Sequence, residues 1–349
     1  MNAIALYEHG GVDKLVYTTD FPKPAIGPGE VLIEVKATAV NRVDLVVRGG
    51  YPGIQVPMPH ILGGDIAGTI AEVGTDVQGF RAGQRVVTWP LIACGKCALC
   101  VAGEYIHCEN TYDFQAFTGG PEGRATYAQY LLKPGWLLPG IPDGVSYERA
   151  SLALCALGPS FGAFQGMALS AFDTVLITGM GPVGLGGIAN ARFRSARVIA
   201  VESVPWRMER AAQLGAAAVL DPRDAGILTK IRQLTDGKGV DCALDCSGTV
   251  QAQRLCIDAT RRKGKVAFVG ECGDPLSIRV SPDLIRTGIT IIGSWHYNLN
   301  LYPRIARVIQ QSPILDLHIS HLMPMSQIQQ AMELCASHQT AKVILKPWE

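Results

Sequence analysis

The chain has 349 residues, which is room for two domains at roughly 100–200 residues per domain. Hydrophobic residues make up 48% and charged residues 17%, a balance that excludes an intrinsically disordered chain. With 31 basic and 30 acidic residues, the net charge of +1 gives no electrostatic reason to expect nucleic acid or an anionic membrane as a partner. We therefore expect the partner to be a small molecule.

The sequence predicts neither secretion nor membrane insertion. The segment Met1–Gly11 carries Glu8 and His9 and lacks the basic start and apolar run of a secretory signal, so we expect a cytoplasmic protein. The uncharged stretch Ala150–Phe172 is long enough to span a bilayer, but Gly158 and other Gly and Pro residues interrupt it, which favours a buried connection. The ten cysteines indicate free thiols or a metal site rather than a disulfide framework.

Residues 1 to about 155 have a β-rich pattern. Val31–Ala37 is rich in β-branched residues and predicts a strand. Turn sequences separate such segments at Gly27-Pro28-Gly29, Tyr51-Pro52-Gly53 and Lys133-Pro134-Gly135. The pattern predicts an irregular β-barrel or a rolled sheet.

From Asp173 the pattern changes to short apolar strands that alternate with helical segments. Six such strands with crossover helices predict a doubly wound parallel sheet, and therefore an α/β fold class for the whole chain. The predicted strands are Thr174–Thr178, Val198–Glu202, Ala217–Asp221, Val240–Cys246, Lys265–Gly270 and Ile289–Trp295.

A glycine-rich turn follows the first of these strands and opens a helical segment at Leu185–Arg194. Its G-x-G-x-x-G spacing, between a strand and a helix, is typical of dinucleotide binding. The first glycine allows the tight turn, the second lets backbone N–H groups approach the pyrophosphate, and the third lets the helix pack on the strand. An ordinary glycine turn is the alternative. The residues assigned to the cofactor here are Gly179, Gly181, Pro182, Val183 and Gly184.

Glu202, which ends the second strand of this sheet, indicates which dinucleotide binds. A carboxylate at this position binds the adenosine ribose hydroxyls and repels a 2′-phosphate, which favours NAD(H) over NADP(H). Arg207 follows closely in sequence, and its guanidinium can accept a phosphate or stack on adenine. A solvated strand-end charge is the alternative for Glu202. Gly270, which ends the fifth predicted strand, is also assigned to the cofactor.

Four cysteines have the spacing C-x2-C-x2-C-x7-C. Short loops of this kind let four thiolates close on one Zn²⁺, and Gly95 and Gly103 ease the turns. Four sulfur ligands leave no open coordination position, so the zinc is predicted to be structural. An iron–sulfur cluster and unpaired thiols are the alternatives, and the other six cysteines are interpreted as core residues. The predicted ligands are Cys94, Cys97, Cys100 and Cys108.

The tail after Trp295 ends in Ala341–Lys346, an apolar strand that most simply returns to the first domain. We therefore predict a first domain made of residues 1–157 and 296–349, with a zinc lobe at about 91–112. Residues 158–295 are predicted to form the dinucleotide-binding Rossmann domain.

The β-rich domain with its cysteine lobe, the glycine-rich turn that follows and the returning tail together resemble the medium-chain dehydrogenase/reductase superfamily. The resemblance implies an irregular β-barrel-like catalytic domain, a Rossmann domain and an active site in the cleft between them. It also implies a homodimer or homotetramer, often formed through the last Rossmann strand, here Ile289–Trp295. By the same resemblance, Arg42 and Lys342 match positions near the cofactor pyrophosphate.

Zinc alcohol dehydrogenases in this superfamily have a catalytic zinc whose ligands this sequence lacks. The position of the first ligand, a cysteine, matches Asn41, and that of the histidine ligand matches Gly64 in Gly63-Gly64-Asp65. The third falls near Gly158, three residues from Cys155. Asparagine and glycine are poor zinc ligands, so we expect one structural zinc per chain and no catalytic zinc. A rebuilt zinc site that uses Asp65 and Cys155 is the alternative.

Without a catalytic metal, a side chain must donate to the oxyanion or carbanion that hydride transfer creates. Asn41 has an amide N–H for this purpose, and Asp44 is placed to orient it. Tyr51 offers a phenol in a glycine-rich loop. Trp295 and His296 follow the last Rossmann strand, where the resemblance places the nicotinamide, and imidazole suits a general acid because it titrates near neutral pH. Purely structural roles are the alternatives for these residues.

The segment around Asn41 and Asp44 resembles the quinone oxidoreductase and enoyl-reductase branch, which works without catalytic metal. The glycine turn and Glu202 instead resemble the sorbitol and threonine dehydrogenase branch. We expect reduction of an activated C=C bond or a quinone. The alternatives are an alcohol/ketone dehydrogenase and, in a different class, a catalytically inactive NAD-binding structural or sensor protein.

Overall fold

A computed structural model describes residues 1–50, 56–89, 93–110 and 125–349, which form two compact units. Unit 1 comprises Met1–Leu154, Asn298–Gln310 and Ile319–Glu349. Unit 2 comprises Cys155–Tyr297 and Gln311–His318. Most of the C-terminal tail therefore belongs to unit 1.

Unit 1 is built mainly from β-strands, which are numbered here along the whole chain. The strands are β1 (Ala3–Leu6), β2 (Leu15–Thr18), β3 (Glu30–Ala39), β4 (His60–Ile61), β5 (Asp65–Val73), β6 (Arg85–Val87), β7 (Tyr130–Pro134), β14 (Ile319–Pro324) and β15 (Lys342–Lys346). One sheet has the order β2-β1-β4, and a second has the order β14-β15-β3-β5-β6 with β7 also paired to β3. The predicted β-rich domain is confirmed.

Strand β3 is the centre of the second sheet. Its β-branched residues Val31, Ile33 and Val35 alternate along the strand and are buried, in a core cluster that also contains Ile66 and Ile70 of β5. The strand pairs antiparallel with β5, β7 and β15. The C-terminal end of β3 therefore has β5 and β15 as neighbours, which sets the position of the candidate site described below.

The α-helices of unit 1 are short and pack against the sheets. In the last of them, Ile328, Ala331 and Met332 are buried in the same core cluster as Val343 and Leu345 of β15. This packing buries the C-terminal strand in unit 1. In the described part of unit 1 the helices are α1 (Arg42–Gly49), α2 (Ala98–Val101), α3 (Tyr147–Ala150), α9 (Tyr302–Gln311) and α10 (Ile328–Ala336).

Unit 2 contains a six-stranded parallel sheet. Its strands are β8 (Thr174–Thr178), β9 (Arg197–Val201), β10 (Ala218–Leu220), β11 (Val240–Asp245), β12 (Thr260–Phe268) and β13 (Thr290–Gly293). Their order in the sheet is β10-β9-β8-β11-β12-β13. The predicted doubly wound sheet is confirmed. The largest difference is at β12, which begins five residues before the predicted Lys265 because Thr260 already pairs with Val240.

The helices of unit 2 connect these strands. Two of them begin with proline, a residue whose fixed φ and missing N–H suit the first helical position. The stretch Ala150–Phe172 contains a ten-residue helix whose Pro159, Phe161 and Phe164 are buried, so it is the predicted buried connection. Among the described residues, no helix is both long enough and apolar enough to cross a membrane. The helices are α4 (Gly158–Met167), α5 (Pro182–Phe193), α6 (Pro205–Gln213), α7 (Ile227–Gln233) and α8 (Val250–Ala259).

Candidate active site

The glycine-rich turn lies between β8 and α5, as predicted from its spacing. Gly179 has φ +78°, and a Cβ on it would lie 2.8 Å from Ser247. A Cβ on Gly184 would lie 1.9 Å from the carbonyl oxygen of Gly179, so this position requires glycine for close packing. A Cβ on Gly181, by contrast, would have only Nη1 of Arg207 near it, at 3.9 Å, among the described residues. The turn is tight at its two ends and open in the middle, a shape that fits a dinucleotide pyrophosphate.

The helix α5 begins at Pro182 directly after this open position, and Val183 and Gly184 complete its first turn. The N-terminus of a helix carries unpaired N–H groups and partial positive charge, which favour an anion. Arg207, in the first turn of α6, adds a guanidinium beside the same turn. These groups suit the negative charge of a dinucleotide.

Glu202 is buried directly after β9, and its carboxylate is bonded to the backbone around it. Oε2 accepts from N–H of Met180 at 2.8 Å, and Oε1 accepts from N–H of Ser203 at 2.7 Å and of Val204 at 3.0 Å. The carboxylate is thereby fixed to the glycine-rich turn. Oε1 also accepts from the Ser203 hydroxyl at 3.4 Å, whereas Oε2 accepts from Met180 alone among the described residues, so Oε2 can still accept a ribose hydroxyl.

Asp245, which the sequence analysis did not single out, organises the strand ends next to this turn. Its carboxylate accepts from Thr178 Oγ1 at 2.8 Å, from Ser247 N–H at 3.0 Å and from Gly248 N–H at 3.1 Å. A Cβ on Gly270 would lie 2.2 Å from Gly248 N, so the loops after β11 and β12 touch. Asp245 therefore fixes the carboxyl ends of the strands, where open α/β sheets bind ligands. The signal in the sequence was an acidic residue at a strand end followed by Cys-Ser-Gly.

Trp295 and His296 follow β13, as predicted. Their rings make an edge-to-face contact with centroids 5.2 Å apart. His296 has φ +49° and is buried, and its carbonyl oxygen would lie 2.5 Å from a Cβ on Gly162 of α4. This close backbone contact holds the loop against the helix. The left-handed backbone of His296 is a feature that the sequence did not predict.

The four predicted zinc ligands lie together in unit 1. The Sγ atoms of Cys94, Cys97, Cys100 and Cys108 all lie within 4.8 Å of one another. Backbone N–H groups donate to these sulfurs, for example Cys94 N to Cys108 Sγ at 3.2 Å, and the backbone N–H of Lys96 lowers the pKa of the Cys94 thiol. Among the described residues this is the only group of three or more His, Cys, Asp or Glu side chains arranged to hold a metal ion. Four convergent thiols fit a closed tetrahedral zinc.

Asp44 holds the backbone around Asn41 rather than its amide. Oδ2 accepts from the backbone N–H of Asn41 at 2.8 Å and from the hydroxyl of Tyr127 at 2.6 Å, and Oδ1 accepts from Gly63 N–H at 3.2 Å. Burial raises the pKa of Asp44 to about 6. Asp44 therefore fixes the start of α1 and the glycine loop. Tyr127 was not predicted from the sequence to take part.

Lys342 lies beside Asn41, which was not predicted. Its Nζ atom is fully buried and donates to Oδ1 of Asn41 and, at 2.5 Å, to Oδ2 of Asp65. A Cβ on Gly64 would have no atom of the described residues within 4 Å. The two positions of unit 1 that match zinc ligands in the sequence thus hold an amide and a glycine with open space beside it, and the buried ammonium of Lys342 lies against the amide.

Arg42 and Tyr51 are the other residues that the sequence singled out in this part of the chain. Arg42 is the first residue of α1 and is exposed. Tyr51 lies outside the described residues. The structure therefore brings together Asn41, Asp44 and Lys342 among the predicted residues of unit 1.

Comparison with known proteins assigns the family. Residues 27–143 match the alcohol dehydrogenase GroES-like domain, and residues 182–311 match the zinc-binding dehydrogenase domain. The chain is 33% identical over 331 residues to L-threonine 3-dehydrogenase of Pyrococcus abyssi, covering 93% of this chain and 92% of that protein. The chain belongs to the medium-chain dehydrogenase/reductase superfamily. The predicted resemblance is confirmed.

Other known proteins match the chain over nearly its whole length. Sorbitol dehydrogenase of Bacillus subtilis is 32% identical over 335 residues, covering 93% of this chain and 92% of that protein. The solved structure of AibC has a TM-score of 0.90 at 28% identity and covers 100% of this chain and 96% of its own. A structure of an NAD-dependent alcohol dehydrogenase has a TM-score of 0.87 at 28% identity and covers 99% of both chains.

As a medium-chain dehydrogenase/reductase, this protein is an NAD(P)-dependent oxidoreductase. The alternative of a catalytically inactive binding protein is set aside, because the relatives are named as dehydrogenases. The choice of dinucleotide and the substrate stay predictions and are argued next.

Proposed function

We propose that this protein reduces an activated C=C bond or a quinone with NADH and that it needs no catalytic zinc. The observation that carries the proposal is the buried ion pair of Lys342 and Asp65, which lies against Asn41 and next to Gly64. Asn41 and Gly64 are the positions that match zinc ligands of the alcohol dehydrogenases.

The ion pair opposes a metal for two physical reasons. First, the ammonium of Lys342 already uses Oδ1 of Asn41 and Oδ2 of Asp65, the oxygens that a cation would need. Second, a buried ammonium repels a dication strongly, because like charges a few ångströms apart interact with little screening in the protein interior. Zinc therefore has neither ligands nor a favourable potential beside Asn41.

A site without a metal ion beside Asn41 restricts the chemistry of the substrate. Oxidation of an alcohol requires its hydroxyl to lose a proton, which a bound metal makes easier by lowering the hydroxyl pKa. Reduction of an α,β-unsaturated carbonyl needs no such step. The β-carbon of the substrate receives a hydride from NADH, the two π electrons move to the carbonyl oxygen, and the enolate takes a proton from water at its α-carbon. A single hydrogen-bond donor at that oxygen is the main requirement.

The residues around the glycine-rich turn fit the dinucleotide that supplies this hydride. The turn is open at Gly181, and α5 directs its N-terminus there. The negative charge of Glu202 opposes a 2′-phosphate, which supports NAD(H) as the preferred dinucleotide.

A second candidate is an alcohol/ketone dehydrogenase, which the names of the threonine and sorbitol dehydrogenase relatives favour. This reading needs a rebuilt metal site that uses Asp65 and Cys155, or a side-chain base that removes the hydroxyl proton. The fully buried Asp65 is already paired with Lys342, which argues against its use as a metal ligand.

The two candidates are separated by substrate and by metal dependence. Purified protein is assayed with NADH against enones and quinones and with NAD⁺ against secondary alcohols, before and after dialysis against a chelator. We expect NADH oxidation with an enone or quinone, unchanged by the chelator, with one zinc per chain retained. The variant Cys155→Ser serves as the matched control and should keep full activity. Activity on alcohols alone, lost with the chelator while one zinc remains bound, refutes the proposal.

We also propose that β13 forms an interface between copies of this chain. It is the last strand in the order of the parallel sheet, so its outer edge has no partner strand among the described residues. An exposed strand edge favours pairing with a second copy. Light scattering should give a dimer or tetramer, and a monomer at micromolar concentration contradicts this proposal.

A further inference from the structure

We infer that Lys342 acts through Asn41: the buried ammonium polarises the Asn41 amide, so that its Nδ2 becomes the donor to the substrate oxyanion. The inference rests on the proposed metal-free reduction and names the group that replaces the metal. Lys342 is in this scheme a positioning residue, because its Nζ is fully buried, whereas Asn41 is 7% exposed.

The fold brings these side chains together at the C-terminal end of β3. Ala39, the last residue of β3, pairs with Asp65 of β5 on one side and with Ile344 of β15 on the other. Val40 N–H donates to Val343 O at 3.0 Å, which extends the contact between the two chain segments by one residue. Asn41 comes directly after Val40, and Lys342 directly precedes Val343. The convergence is therefore fixed by main-chain hydrogen bonds.

The chemistry of the lysine fixes the orientation of the amide. An ammonium has three donors and no acceptor, so the amide must turn its oxygen towards Nζ and its Nδ2 away from it. A cation on the amide oxygen draws electron density from the nitrogen, which makes the N–H groups stronger donors. Lys342 therefore polarises the amide of Asn41, whereas a metal ion would polarise the substrate oxygen directly.

The Nδ2 group is available for a ligand. Its contact with the carbonyl oxygen of Ala39 is long, at 3.4 Å, and its second N–H has no acceptor among the described residues. A side chain that is more than nine-tenths buried and keeps an unused donor is unusual, because buried donors are normally satisfied. The unused N–H is explained if a substrate oxygen accepts from it.

The backbone of Asn41 is held rigidly, as an oxyanion donor requires. Oδ2 of Asp44 accepts from its N–H at 2.8 Å, and the hydroxyl of Tyr127 donates to the same oxygen at 2.6 Å. Preorganised donors stabilise developing charge because they need not reorient during the reaction. Asp65 completes the arrangement by pairing with the ammonium at 2.5 Å, which compensates its charge in the interior.

The test uses two variants with different predicted losses. Asn41→Asp has nearly the same shape and keeps an oxygen for Lys342, but it removes the donor, so kcat should fall by about 10²–10³. Lys342→Met combined with Asp65→Asn removes both charges together and leaves no buried ion without a partner. We expect this double variant to lose at least about tenfold in kcat, because the donor remains but is no longer polarised. The KM for the substrate and the Kd for NADH should stay within about twofold in both variants, because an interaction that forms only in the transition state does not contribute to ground-state binding.

The matched control is Lys346→Met combined with Glu148→Gln. It removes another lysine–carboxylate pair whose lysine lies on β15, with Glu148 from α3, and it should leave kcat within about twofold of the wild type. If the double variant at Lys342 and Asp65 keeps the wild-type kcat while Asn41→Asp is slow, the polarising role of Lys342 is overturned and the proposed function stands. If Asn41→Asp keeps the wild-type kcat, the donor assignment is overturned.

Failure of the proposed function has a different signature. A wild type that only oxidises alcohols refutes the reduction of C=C bonds and quinones, and the same variants then test the donor on alkoxide formation. Equal kcat values for the wild type and both variants on that substrate overturn the inference as well. A wild type that is inert on every substrate class overturns both.

Discussion

Replacing only one residue of the buried pair of Lys342 and Asp65 tests whether the stability of the site depends on charge compensation. Both side chains are fully buried, and the Nζ–Oδ2 distance is 2.5 Å. Removal of one partner of such a pair costs about 3–5 kcal/mol, because the remaining charge stays in a poorly solvated place. Unit 1 has about 200 residues, for which each kcal/mol lowers the melting temperature by roughly 2–4 °C. Lys342→Met and Asp65→Asn should each lower it by about 6–20 °C.

Thermal unfolding followed by circular dichroism, with the zinc content of each sample matched, measures this effect. The double variant removes both charges at similar side-chain volume and should melt within about 3 °C of the wild type, since neutral replacements of buried pairs are often tolerated. Lys346→Met is the single-variant control: its lysine is one-fifth exposed, and its loss should cost at most about 1 kcal/mol. Two results refute the reasoning: single variants that melt within about 2 °C of the wild type, or a double variant as unstable as the singles.

Three further predictions concern the zinc, the cofactor and pH. Cys100→Ser should lower both the zinc content and the melting temperature, whereas Cys256→Ser, at a buried core thiol, should keep the zinc; unchanged zinc in the first variant contradicts the ligand assignment. Gly181→Val should abolish NADH binding in a fluorescence titration, and Glu202→Ala should narrow the preference for NADH over NADPH; tighter NADPH binding by the wild type contradicts this. Asp44 has a pKa raised from 3.8 to about 6, so the folded state binds a proton that the unfolded chain releases. Stability should therefore fall by about 2 kcal/mol as pH rises from 4 to 6, relative to Asp44→Asn; parallel curves contradict the shift.

The strands of unit 2 and its glycine-rich turn could be predicted because each is indicated by residues that are close together in the sequence. Each strand is a short apolar run, and the turn at Gly179 carries its own spacing signal beside the strand and helix that it connects. The cysteine lobe was predictable for the same reason, since its ligands lie within one short segment. In both cases the residues that act together are neighbours in sequence.

The centre of the candidate active site could not be predicted in this way. Lys342 contacts residues that precede it by 277 and 301 positions in the sequence, and only the pairing of β15 with β3 brings them together. The family resemblance assigned Lys342 to the cofactor, and no local pattern indicates its contact with Asn41. The bond between Tyr127 and Asp44 was missed for the same reason, because it spans 83 residues.

Unit 1 consists of three separate chain segments, and the last of them is synthesised after all of unit 2. The ribosome releases the segment Cys155–Tyr297 before it has made β15, so the dinucleotide-binding sheet can form while the β3 end still lacks its neighbour. Until Lys342 arrives, Asp65 lies beside Asn41 without its ammonium. We therefore expect newly made chains to bind the cofactor first and to become catalytically active only when the final strand has docked. A chain truncated before that strand should bind NADH but should not catalyse hydride transfer.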